Sequence, residues 1–165
     1  MDAHAARTMY AFDWILPVVI AGVFVLLMSL LREPTRQRFN AIFVAGAGSA
    51  YLNGGFGVLE LPFAALGSYL AYRGLDDYRF IGVAWLCHTV WDVAHHLWGN
   101  PILAFQATSS AGCAITDALI AMWFLRGAPS VYELLGRRPV GLGSEASERI
   151  VGADARERVL GGGSH

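Results

Sequence analysis

The sequence predicts an all-α fold, a polytopic transmembrane helical bundle of about five spans with its N-terminus outside and its C-terminus inside. Three observations predict it. The 165 residues are 55% hydrophobic and only 15% charged. The charges gather in short clusters between long apolar runs, the pattern of a multi-spanning membrane protein. The arginines fall in alternate connections, as expected when those connections stay cytoplasmic.

A span needs about 20 mostly apolar residues, and candidates lie near 11–31, 39–54, 57–74, 80–98 and 107–125. The first is long for a secretory signal core. It is followed by Leu31-Arg32-Glu33-Pro34 rather than a small-residue cleavage site, which predicts a retained anchor with Asp13 at its interfacial start. The second span is the shortest. It sets Ala41, Ala45 and Ser49 at four-residue spacing beside Gly46 and Ala50, a stripe that predicts close helix packing. Gly46-Ala47-Gly48 is not a dinucleotide fingerprint, because Tyr51 occupies a later glycine position and no βαβ pattern surrounds it. The third span carries Glu60 near its start, the fourth carries the His/Asp segment discussed below, and the fifth carries Cys113 and Asp117.

Arg32, Arg36 and Arg38 follow span one, Arg73 and Arg79 flank the turn after span three, and Arg126, Arg137 and Arg138 follow span five. The turn at 53–55 and the loop 99–109 hold no Lys or Arg, as expected outside. Trp14 and Trp98 then sit at the outer interface. Residues 1–127 are read as the bundle and 128–165 as a partly disordered cytoplasmic tail, with one short helix over Val131–Leu135 and a weak one near Glu145–Val151. The closing Gly161-Gly162-Gly163-Ser164-His165 has linker composition and carries no functional reading. A net charge of −1 argues against a nucleic-acid partner. Cys87 and Cys113, the only cysteines, both fall within spans, so no disulfide framework is expected.

Titratable groups in lipid are costly and usually mark function. On a helix, Trp85, His88, Asp92, His95 and Gly99 share one side with His96 at its margin, while Leu86, Val90, Val93 and Leu97 lie opposite. Gln106, Ser110, Cys113 and Asp117 form a similar stripe on span five. If the two helices run antiparallel with equal rise, His88 is level with Asp117, Asp92 with Cys113 and His96 with Ser109, and Glu60 joins near His95 and His96.

His, Asp, Glu and Cys are the ligand types of a zinc or iron site, and i,i+4 spacing lets one helix supply two ligands. His88, Asp92, His95, His96 and Cys113 are therefore the candidate metal ligands, with Asp117 or Glu60 as catalytic base or supporting partner. About 12 Å of helix separates His88 from His96, so two ions with Asp92 between them is the simpler geometry. A haem with two axial histidines from facing helices is disfavoured, because every intramembrane histidine is on span four. Three functions remain open. The first is a membrane enzyme acting on a lipid or other apolar substrate, the second a proton or metal-ion transport or binding module. The third is an accessory subunit of a homo-oligomer or larger membrane complex, in which the polar stripe serves only as helix glue.

Asp92-Val93-Ala94-His95-His96 is similar to one histidine box of membrane di-iron hydroxylases and desaturases, which spread more histidines over several boxes than the three found in these spans. The stretches Leu31-Arg-Glu-Pro-Thr-Arg-Gln-Arg-Phe-Asn-Ala-Ile, Ala45-Gly-Ala-Gly-Ser-Ala-Tyr-Leu-Asn-Gly-Gly-Phe-Gly and Cys87-His-Thr-Val-Trp-Asp-Val-Ala-His-His-Leu-Trp-Gly-Asn-Pro resemble a group of small bacterial multi-spanning membrane proteins, a domain of unknown function. The resemblance covers about residues 15–130. It implies a multi-pass location in a bacterial inner membrane and no particular activity.

Overall fold

A computed structural model describes residues 8–53 and 55–136. All the regular elements of these residues are helical: α1 (Ala11–Met28), α2 (Thr35–Gly48), α3 (Glu60–Gly74), α4 (Tyr78–Trp98), α5 (Ser109–Leu125) and α6 (Val131–Leu134). The expected helix near Glu145–Val151 and most of the expected tail lie outside the described residues. Ala11–Met28 is the one described helix that is by itself long and apolar enough to cross a membrane. The 17-residue α5 is apolar but shorter, and the 21 residues of α4 include Arg79, His88, Asp92, His95 and His96, which lower its mean hydropathy.

The antiparallel pair α4–α5 forms the centre, with α1 against α5, α3 against α4, and α2 against both α3 and α4. Helix α4 begins cleanly because the Asp77 carboxylate accepts from the Arg79 N–H at 2.9 Å. Toward the end of the bundle that carries the arginines, the core is aromatic and apolar. There Phe24 meets Phe43, Trp85, Trp123 and Phe124 at ring-centroid distances of 5.7–6.4 Å, over buried Ile81, Ile120 and Ala121.

Span two departs from expectation. Its α-helix stops at Gly48 and continues as a 3-10 turn over Ser49–Asn53. Glycines at 46 and 48 hold the helix weakly, and Ser49 donates to the Gly46 carbonyl at 2.6 Å, a local bond that competes with the helical ladder. The small-residue stripe holds only in its first half, where Ala41 is buried and Ala45 packs against the core. A side chain at Gly46 would meet nothing within 4 Å, and Ser49 and Ala50 are exposed. The close approaches are instead at Gly74 against Ile81 and at Gly82 against Leu125.

Arg36 was expected among the loop charges, yet it is buried. Its Nε donates to Glu33 at 2.8 Å, while the Tyr78 hydroxyl donates to the same Glu33 oxygen at 2.7 Å. The cluster ties the start of α2 to the start of α4 and neutralises a charge that would be costly inside. Where α1 ends, Ser130 donates to the Ser29 carbonyl at 3.0 Å and the Val131 N–H to the Ser29 hydroxyl at 3.2 Å, which docks α6.

Candidate functional site

The stripe on α4 faces inward. His88, Asp92 and His95 are 1%, 0% and 0% exposed, whereas Leu86, Val90, Val93 and Leu97 point outward. The 3.6-residue period of α4 produces this directly. Its neighbours then divide the polar side chains into two clusters.

In the first cluster the Asp92 and Asp117 carboxyls face one another across the α4–α5 interface. The Tyr51 hydroxyl donates to Asp92 Oδ1 at 2.8 Å, and Asp92 Oδ2 has no donor. Cys113 lies half-buried on α5, close enough to both acids to feel their charge. The expected register shifts by about half a turn: Asp117 meets Asp92 rather than His88, Asp92 still lies close to Cys113 as expected, and Gly82 lies against Leu125. The 99–108 connection folds back on the start of α5, where the Ile102 and Leu103 N–H groups donate to the Ser110 and Ser109 hydroxyls at 3.2 and 2.9 Å, so the two helix ends are not level.

His88 lies apart from the acids. Its Nδ1 bonds the Ala84 carbonyl at 2.8 Å, and its ring is enclosed by Tyr51, Phe63 and Trp85 at centroid distances of 5.2–5.5 Å. Nε2 has no hydrogen-bond partner and faces the space above Gly48, where a β-carbon would come within 3.5 Å of it.

The second cluster surrounds Glu60, which is 2% exposed. Trp91 Nε1 donates to Glu60 Oε2 at 2.9 Å, the Phe56 N–H donates to Oε1 at 3.1 Å, and His95 Nε2 is 3.3 Å from Oε1. The other nitrogen, His95 Nδ1, reaches the Asn100 carbonyl at 3.3 Å. Glu60 thus joins the start of α3 to the outer end of α4, beside His95 as the register predicts. Glu60→Ala strands a buried indole N–H and an imidazole. Its expected cost is about 2 kcal/mol, read as a lowered unfolding temperature, with Glu60→Gln recovering most of it. An unchanged temperature in the alanine variant would show that the cluster bears no load.

The predicted metal-ligand set is therefore divided. Asp92 and Cys113 belong with Asp117, His95 belongs with Glu60, His88 is caged by aromatics, and His96 is half-buried at the margin of α4. Among the described residues no three His, Cys, Asp or Glu side chains gather closely enough to hold a metal ion. Cys87 and Cys113 are both free thiols.

A cavity of about 230 Å³ reaches the first cluster. It runs between α1, α5 and the 99–108 connection, from Asp13 and Gln106 at its mouth to Cys113 and Asp117 at its floor, along Leu16, Pro17, Ile20 and Leu103. Asp13, expected only as an interfacial residue, fixes the mouth. Its Oδ1 accepts from Thr108 Oγ1 at 2.8 Å and from Gln106 Nε2 at 3.3 Å, and its Oδ2 from the Tyr10 N–H at 2.8 Å. An apolar groove of about 640 Å³ lies on the other flank, between α3 and α4, and is lined by Pro62, Phe63, Leu66, Val83, Cys87 and Trp91 among others.

Tyr51 is the residue of the candidate site that motif reading passes over. Its signal is periodicity: Ala41, Val44 and Gly48 are buried on one face of α2, and Tyr51 continues that face through the 3-10 turn.

Fold and site together define a small all-helical protein with a buried two-carboxyl centre beside a narrow cavity. The chain belongs to DUF6010, a family of unknown function, which it matches over residues 12–130. No curated protein and no solved structure matches it.

Proposed function

We propose that this chain is a multi-spanning protein of a bacterial inner membrane, with five spans and an N-out, C-in topology. Asp92 and Asp117 form the acid–base centre of a membrane enzyme acting on a lipid-derived or other apolar small molecule. The observation that carries the reading is a cavity whose floor, Asp117, touches a second buried carboxyl.

The membrane part rests on an inverted surface. Ile42, Val90 and Phe105 are 69%, 69% and 87% exposed, while Asn40, Glu60, His88, Asp92, His95 and Ser110 are inside. In water such a surface would be a far larger apolar patch than a soluble monomer tolerates. In lipid it is the ordinary arrangement, with polar groups turned toward the bundle. The exposed Trp14 and Trp98 suit one interface, and Arg32, Arg38, Arg73, Arg79 and Arg126 the other.

The chemistry rests on the acid pair. Two carboxyls in contact away from water cannot both ionise and share one proton. The ionised partner takes a proton from a reacting group while the other donates one to the atom that gains electrons, so the pair keeps a single proton throughout. The candidate ligands are divided between clusters, so the proposed chemistry uses the carboxyls themselves and draws on neither zinc nor iron. A proton-binding or transport module is the second reading, supported by the donorless Asp92 Oδ2. The aromatic layer around Phe24, Trp85 and Phe124 speaks against a continuous water path.

Topology is tested with single cysteines in a Cys87→Ala, Cys113→Ala background. Phe105→Cys is expected to react with an impermeant maleimide in spheroplasts, and Arg126→Cys only after the membrane is opened. Reaction of both from one side, or recovery of the protein in the soluble fraction, would overturn the arrangement. For the two chemical readings, ion flux in proteoliposomes that disappears in Asp92→Asn would favour transport over the enzyme.

A further inference from the structure

We propose that the cavity between α1 and α5 binds a compact alkylammonium ion, with its N–H donors directed at Asp117. It goes beyond the apolar substrate of the proposed enzyme, since an ammonium group is charged, and it rests on the acid-centre reading. Every charged residue lining the cavity is acidic, Asp13 at the mouth and Asp117 at the floor, with no Arg or His on its walls.

The hydroxyl and amide donors there are already engaged. Thr108 and Gln106 donate to Asp13, and Thr116 donates to the Pro17 and Gly112 carbonyls at 3.3 and 3.1 Å. Pro17 has no N–H to offer the Asp13 carbonyl one helical turn earlier. Apart from the weakly donating Cys113 thiol, what remains toward the space is acceptor and negative.

A second observation lies behind the floor. Asp92 is fully buried, one of its oxygens has no donor, and its carboxyl faces that of Asp117. Two acceptors in contact call for a positive, hydrogen-donating particle. A bridging proton supplies this when the cavity is otherwise empty of solute, and an ammonium group supplies it with three N–H donors and a full charge.

Leu16, Ile20 and Leu103 give the remainder of the ligand an apolar wall. At about 230 Å³ the space is smaller than the roughly 300–1,000 Å³ of sites for drug-sized molecules, so the alkyl part is short. A bare metal ion is a poorer match, because no three-ligand group forms among the described residues.

The test uses the full chain in detergent. Binding of ethylammonium chloride is followed by calorimetry and thermal unfolding, against sodium chloride and tetramethylammonium chloride at matched ionic strength. Ethylammonium is expected to bind and raise the unfolding temperature, while the other two salts do neither. Asp117→Asn is expected to weaken ethylammonium binding about ten- to a hundredfold, the value of one charge-assisted hydrogen bond. Leu16→Trp, which narrows the cavity without touching an acid, is expected to weaken it as well, and serves if Asp117→Asn fails to fold.

Equal responses to all three salts, or binding unchanged in both variants, would overturn the proposal. A separate arm, without amine, treats the protein with dicyclohexylcarbodiimide, which adds to protonated carboxyls, and locates the adduct by mass spectrometry. Labelling at Asp92 or Asp117 without ethylammonium binding would defeat the cation proposal and leave the acid centre standing. Absence of labelling at both would defeat the acid centre itself.

Discussion

Asp92→Asn is expected to leave the protein at least as stable to heat as the wild type, while lowering turnover by about 10²–10⁴-fold, the usual weight of a general acid or base. The two effects separate because the amide replaces one acceptor with a donor. Its oxygen still accepts from Tyr51, whose hydroxyl stands 2.8 Å from Asp92 Oδ1. Its NH₂ donates to Asp117, filling the place where two acceptors now meet. Like-charge repulsion and the need for a shared proton both disappear, and the exchangeable proton disappears with them. Asp92→Leu is expected to behave differently. It strands the buried Tyr51 hydroxyl and lowers stability by about 1–3 kcal/mol. Unfolding temperature and carbodiimide labelling of Asp117, measured on both variants, give the comparison. An asparagine variant that melts as early as the leucine variant would mean that the pair is packing rather than chemistry, and full activity in Asp92→Asn would end the catalytic reading.

Period was the legible part of this site. A stripe of Trp85, His88, Asp92 and His95 can be drawn from residue numbers alone because a helix repeats every 3.6 residues, and the structure buries all four. Depth was less legible. Pairing residues of α4 and α5 by position assumes level helix ends, and the connection folded back through the bonds from Ile102 and Leu103 to Ser110 and Ser109 goes with an offset of about half a turn, enough to exchange His88 for Asp92 as the partner of Asp117. Tyr51 was hidden for a related reason: the helix tightens to a 3-10 turn after Gly48, and only tertiary packing carries its hydroxyl onto Asp92. Glu60 was placed correctly beside His95, but side-chain spacing within α4 does not reveal that the Trp91 indole also donates to it. The candidate metal ligands do not gather at one point among the described residues for the same reason. Ligand-type residues at i,i+4 spacing are a property of one helix, whereas a metal centre needs neighbouring helices to aim their side chains at a common point.

The α4–α5 crossing that brings the acids together depends on Gly82, and Gly82→Val is expected to be the most damaging single change for the fold. Even an alanine β-carbon there would lie 2.7 and 2.8 Å from Leu125 Cγ and Cδ2, and 3.1 Å from the Leu125 backbone nitrogen. A leucine side chain can rotate away, but a backbone nitrogen moves only if the helix moves. Gly82→Ala is therefore expected to cost about 1–3 kcal/mol as the helices are forced apart, and valine more. Because α4 is continuous from Tyr78 to Trp98, a wedge at Gly82 tilts it relative to α5. Asp92 lies about 15 Å further along that helix, so a small tilt becomes a displacement of its carboxyl from Asp117. Gly82→Ala should therefore weaken carbodiimide labelling of the pair as well as lower the unfolding temperature. Gly46→Ala is the matched control, since a side chain there meets nothing within 4 Å, and it is expected to be neutral or to stabilise by about 0.5–1 kcal/mol through helix propensity. If the two alanine variants melt together, the close approach at Gly82 does not determine the crossing, and the position of Asp92 must be set by the Tyr51 hydrogen bond instead.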